Sequence, residues 1–174
     1  MIRSMIFPRG IRSGRHDGRG TTALELITIV FLMVILAAIA IPGFTPVILN
    51  YRLRGAAWQV TGDLRLARQR AVTLRKRFRV CVTNCLITVP PGAYTIERDD
   101  GTVATPSWVS DTGVAVSLAT SVTISTNATA TFSITGMATG CPANGCIYTV
   151  LSLAGTYQVV VASTGRVQVC KGSC

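Results

Sequence analysis

One solid block and one stripe organise the apolar residues of this chain. The block covers residues 24–41 and is interrupted only by Glu25 and Thr28. At about 18 residues it is long enough to span a bilayer core as a helix, and long for the apolar region of a secretory signal. From Leu49 the pattern changes to Leu49, Leu53, Ala57, Val60, Leu64, Ala67, Ala71, Leu74 and Phe78, in steps of four and three. That spacing predicts an amphipathic helix packed on a sheet, with Trp58 at the edge of the stripe. Arg65, Arg68, Arg75 and Arg79 recur on the other side, with Arg70 and Arg77 alongside. Past residue 78 the chain turns to Thr, Val, Ser, Ile and Gly. Short runs there predict strands at 79–82, 86–89, 94–98, 114–118, 122–125, 129–134, 147–151, 157–162 and 166–170. A long helix followed by an antiparallel sheet is an α+β arrangement: a helical stem carrying a β-rich head.

Charge divides the chain further. The net charge of +10 is concentrated in two places. Five arginines stand against Asp17 in residues 1–20, and nine Arg and Lys stand against Asp63 alone in residues 52–79. A basic stretch ahead of an apolar span stays cytoplasmic, which places the rest of the chain in the periplasm. A solvated basic face is the default reading of the helical arginines, and a surface for DNA or for an acidic neighbouring subunit is the sharper one.

The cysteines agree with an oxidising compartment. Cys81 and Cys85, Cys141 and Cys146, and Cys170 and Cys174 form three close pairs, each enclosing turn-forming residues. Local pairing is the expected connectivity among those that six cysteines allow. The rival is a zinc site, but no Cys-x-x-Cys occurs and His16 lies ahead of the apolar block. No metal or other cofactor is expected. No enzyme is expected either: His is absent after residue 16, and Glu97, Asp99, Asp100 and Asp111 sit in turn-like contexts, 97–101 reading as a hairpin turn rather than a calcium loop.

Glu25 is the residue that the bland readings leave unexplained. A carboxylate inside an apolar span is costly and tends to be paired or functional. A cleaved secretory signal, with mature chain starting at Ile41, or a plain anchor with Glu25 near the favourable helix N-terminus, remain alternatives.

Gly20 followed by Thr-Thr-Ala-Leu-Glu, an apolar helix and then Ala-Ile-Pro-Gly-Phe resembles the leader and helix of type IV pilins and type II secretion pseudopilins. The resemblance implies cleavage of the Gly20–Thr21 bond by a prepilin peptidase and methylation of the new amine on Thr21. Glu25 then matches the family's Glu five residues after the cut, and Pro42 its helix-breaking Pro; Thr21 departs from the usual apolar residue there. The implied organisation is a leader at 1–20, a transmembrane helix at 21–43, an amphipathic helix at 44–79 and a periplasmic head at 80–174. The implied partners are other pilin or pseudopilin subunits, the inner-membrane assembly platform and the membrane itself. An amine one turn from Glu25 can meet a neighbour's carboxylate inside the bilayer, so each charge offsets the other's desolvation and axial register is set.

The segment Ser-Thr-Gly-Arg-Val-Gln-Val-Cys ending at Cys170 is similar to the C-terminal part of FimT/GspH-like minor pilins. Some of these bind DNA through Gly-Arg-x-Arg. Gly165 and Arg166 match that motif, Gln168 replaces its second Arg, and Lys171 is a candidate substitute. The resemblance therefore implies a structural minor subunit of a type IV pilus or type II pseudopilus, with DNA binding through Arg166 and Lys171 as the alternative.

Overall fold

A computed structural model describes residues 22–101 and 105–174, with the side chains of 40–43 left aside. The chain divides between Pro42 and Gly43 into two units. One helix, α1 (Ala23–Leu74), runs through both.

In the first unit the large apolar side chains of α1 between Leu24 and Ile39 are all exposed, Leu24 at 76% and Ile39 at 71%. Taken separately, neither the Ala23–Ile39 part of α1 nor the Phe44–Leu74 part is long and apolar enough to cross a membrane; the two together meet that length and composition.

In the second unit the stripe is real. Leu53, Ala56, Ala57, Val60, Leu64, Ala67 and Ala71 are buried. The expected helix over 44–79 ends five residues early. The helix stops at Leu74, half exposed, because Arg75 adopts a left-handed conformation (φ 51°) that closes it. Phe78 is buried, but as the first residue of a strand. Trp58 is 49% exposed and lies on the face away from the core, not at the stripe's edge.

The strands are β1 (Phe78–Cys81), β2 (Ala93–Asp99), β3 (Trp108–Ser110), β4 (Val116–Ser117), β5 (Thr123–Thr126), β6 (Thr131–Phe132), β7 (Ala138–Thr139), β8 (Cys146–Ser152), β9 (Gly155–Val161) and β10 (Val167–Lys171). They form two antiparallel sheets instead of one. The first has the order β3-β2-β1-β6-β7 with β4 on β2, and the second β10-β9-β8-β5. The expected strand at 86–89 is absent. Its alternating pattern runs into Pro90 and Pro91, which restrict the residues before them, and the Leu86 N–H goes to the Glu97 carboxylate at 2.7 Å instead of to a ladder.

Three disulfides close the local loops: Cys81–Cys85, Cys141–Cys146 and Cys170–Cys174, with Cα separations of 5.7, 4.8 and 5.5 Å. Each loop contains a residue in the left-handed region, Asn84, Gly145 and Gly172. At Gly145 a Cβ would fall 2.8 Å from the Val161 carbonyl oxygen, so this turn admits only glycine without a shift.

One side chain joins the sheets. Tyr148 of β8 is fully buried; its hydroxyl donates to the Val80 carbonyl of β1 at 2.8 Å and accepts from the Ala130 N–H at 3.0 Å. Burial pushes its phenol far above the usual range, so it stays a donor at every physiological pH. We expect Tyr148→Phe to keep the packing but leave a buried carbonyl and N–H unpaired. The loss should be about 2 kcal/mol, read as a fall in Tm of roughly 4–8 °C by thermal denaturation. An unchanged Tm would mean that the sheets are held together without this bridge.

Candidate functional site

The sequence points to the start of α1, to the helical arginines and to the segment around Arg166. At the start of α1, Thr22 sits just ahead of the helix, and its hydroxyl accepts from the Glu25 N–H at 3.3 Å. This is half of a capping box, with Glu25 at the third helical position, where the helix dipole favours negative charge. Thr28 turns its hydroxyl back onto the Glu25 carbonyl at 2.8 Å, which disposes of the other polar group in the block. The Glu25 carboxylate is exposed and has no basic partner among the described residues. Gly20 and Thr21 lie outside the described residues, as does the side chain of Pro42.

Most of the helical arginines are not simply solvated. Arg70 pairs with Asp111, Arg77 with Asp99, Arg79 with Glu97 at 2.6 Å, and Lys76 with Asp100 at 2.6 Å. The acids expected in turns are thus partly strand residues: Glu97 and Asp99 lie in β2, and both are buried. Glu97 is fully buried, with Arg79 on one oxygen and the Leu86 N–H on the other, and Trp108 stacks 4.1 Å from the Arg79 guanidinium. Removing Arg79 would strand the buried Glu97 charge, at a cost of about 3–5 kcal/mol. Burial alone would raise the Asp99 carboxyl, but N–H groups of Gly101 and Ser107 and the Arg77 guanidinium outweigh it and hold the group low. Glu97, Cys81 and Cys85 offer donor atoms within 4.8 Å of one another. The two sulfurs are bonded to each other and Glu97 is committed to Arg79, so this cluster is a staple and not a ligand set.

A basic pocket of about 440 Å³ lies between α1 and the β9–β10 turn, lined by Arg65, Arg68, Gln69, Gly165, Arg166 and Val167. Its geometry is set by Arg68. The Arg68 Nε donates to the Gly136 carbonyl at 3.0 Å, and a terminal nitrogen reaches the Thr164 carbonyl at 3.5 Å, tying two turns to the helix. Gly165 has φ 77°, and a Cβ there would lie 2.0 Å from the Gly136 oxygen, so glycine is required at this close approach. Arg166 is exposed beside it. With the Gln168 amide oxygen turned toward Arg166, it accepts from the guanidinium at 2.7 and 3.0 Å. Gln168 therefore holds Arg166 by hydrogen bonds and adds no charge.

Lys171 does not line the pocket. It ends β10, at the far end of the strand from Arg166, which precedes the strand. The structure brings Arg65 and Arg68 to Arg166 instead. Their grouping was hidden in the sequence, because the pocket joins residues about a hundred positions apart; the recurring arginines on one helical side were the available signal.

No protein-family model matches the sequence, and no curated protein does. Solved structures do. The type IV minor pilin FimU of Pseudomonas aeruginosa aligns at TM-score 0.50 and 18% identity, over 70% of this chain and 90% of that one. The minor pseudopilin EpsH from the type II secretion system of Vibrio cholerae aligns at TM-score 0.53 and 10% identity, over 71% of this chain and 98% of that one. A second EpsH structure gives TM-score 0.52 at 11% identity. At such identities the likeness is one of fold, an N-terminal helix on antiparallel sheets as in these pilin and pseudopilin structures.

Proposed function

We propose that this chain is a minor pilin or pseudopilin, a structural and assembly subunit of a type IV pilus or type II secretion pseudopilus. It is made with a leader that a prepilin peptidase removes after Gly20. Its N-terminal helix sits in the inner membrane with the head in the periplasm, and other subunits and the assembly platform then draw it into the filament. The observation that carries this reading is the helix of the first unit. Its apolar side chains face outward all round, and one carboxylate, Glu25, sits among them at the N-terminal end. Such a surface is unstable in water. Lipid, and later the apolar helices of neighbouring subunits, would cover it, and a cut at Gly20 would create the amine that Glu25 lacks as a partner.

The basic pocket favours a second reading, DNA binding. Arg65, Arg68 and Arg166 converge on one pocket of a size to hold phosphate oxygens, though Gln168 occupies part of the Arg166 donor set.

Mass spectrometry of the mature chain should find Thr21 at its N-terminus, carrying one methyl group; a chain beginning at Ile41 would establish a secretory signal instead. Glu25→Leu should leave membrane insertion intact, because an apolar residue is at home in lipid. Its incorporation into filaments should fall at least tenfold, measured by immunoblot of sheared filaments; parental incorporation would remove the register role from Glu25. For DNA, the full chain in detergent is titrated with duplex. Binding in the micromolar range or weaker should fade steeply with salt, weaken more with Arg166→Ala than with Lys171→Ala, and strengthen with Gln168→Arg. No shift at low salt, with or without Gln168→Arg, would leave the structural role alone.

A further inference from the structure

The helix of the second unit has a further face that its own fold does not use. Opposite the buried stripe, two rows recur at seven-residue spacing: Tyr51, Trp58 and Arg65, and beside them Gly55 and Gly62. Tyr51 is 81% and Trp58 49% exposed, and with Arg54 and Gly55 they line a shallow depression of about 300 Å³. A glycine inside a helix is destabilising, and here nothing in the fold asks for it: a Cβ built at Gly55 or at Gly62 meets no atom within 4 Å. A groove floored by glycine and walled by Tyr and Trp admits another helix closely, and a seven-residue repeat keeps such a seam facing its partner. Exposed aromatics next to arginine are also the residue types that anchor protein interfaces.

Charge selects the occupant. Arg54 and Arg65 flank the groove without a carboxylate partner among the described residues. The sole acid of residues 44–74 is Asp63, which accepts from the Tyr94 hydroxyl on the core side. A second copy of this chain would therefore set arginine against arginine, a juxtaposition that rejects partners. We propose that this face binds the helix of a different subunit, one carrying Asp or Glu at three- and four-residue spacing along its exposed side. The chain then enters an assembly singly, between unlike neighbours. This inference rests on the proposed filament role and names the partner chemistry of that role.

The test uses the full chain in cells that make the filament, with Trp58→p-benzoylphenylalanine as a photocrosslinker. Mass spectrometry should identify one heterotypic adduct, with a pilin-like subunit whose crosslinked helix bears an acidic stripe. Arg54→Glu with Arg65→Glu should lower that adduct at least tenfold. Gly62→Leu should abolish it while leaving the Tm of the purified chain equal or higher, the reverse of what a residue needed for the fold would do. An adduct with another copy of this chain, an adduct on a helix without acids, or an adduct that survives the double charge reversal overturns the inference. Filament incorporation is scored in the same cells. Normal incorporation with no Trp58 adduct overturns the docking face alone, whereas absence from the filament overturns the filament role and the inference together.

Discussion

Burial of one face of α1 is the constraint on which the rest of the head depends. That face is built from Leu53, Val60 and Leu64 with alanines at 56, 57, 67 and 71, and it shares one core with Phe78, Tyr94, Ile96, Phe132, Tyr148 and Val159. Small residues let a helix present a smooth surface to two sheets at once, and removal of this apolar area from water supplies the driving force. Once the face is fixed, helical geometry fixes the others. Tyr51 and Trp58 must point away from the core, Asp63 must reach Tyr94, and Arg68 must arrive over the two turns at Gly136 and Gly165.

The same constraint sorts the positive charge into two populations. Arginines at the end of α1 and in the connection to β1 find carboxylates of β2 and its neighbourhood, so they act as internal ties. Arg79 with Glu97 is the most consequential, since a fully buried carboxylate also orders the loop after the first disulfide through the Leu86 N–H. Arg54 and Arg65, earlier on the helix, have no such partners among the described residues. A formal charge of +10 therefore overstates the basic surface of the head and says little about where it lies.

The first unit obeys a different logic. Between Leu24 and Ile39 its helix buries none of its large apolar side chains, so the hydrophobic effect leaves that surface without a partner among the described residues. Glu25 is tolerable at the helix N-terminus, because Thr22 caps the first turn and the dipole favours the charge.

Much of this was legible in the residues, and the reason is locality. The buried stripe follows from 3.6-residue periodicity, the three disulfides from turn residues such as Asn84, Gly145 and Gly172 between close cysteines, and β2, β5, β8, β9 and β10 from short β-branched runs between turns. What failed was decided by contacts distant in sequence. The pattern at 86–89 resembles a strand, yet the prolines and the pull of Glu97 make it a loop. The short β3 and β7 exist because neighbours pair with them, as Trp108 does with Asp99 and Thr139 with Thr131. Trp58 lies outside because helical geometry puts position 58 on the face opposite the buried stripe. Lys171 is near Arg166 along the chain, but it lies at the far end of β10, and tertiary packing brings Arg65 and Arg68 to Arg166 in its place. The sequence by itself determined the stem, the staples and the class of fold, since these rest on neighbouring residues. Only the tertiary structure decided which charges are spent inside the head and which face outward, because pairing a buried carboxylate depends on who arrives beside it.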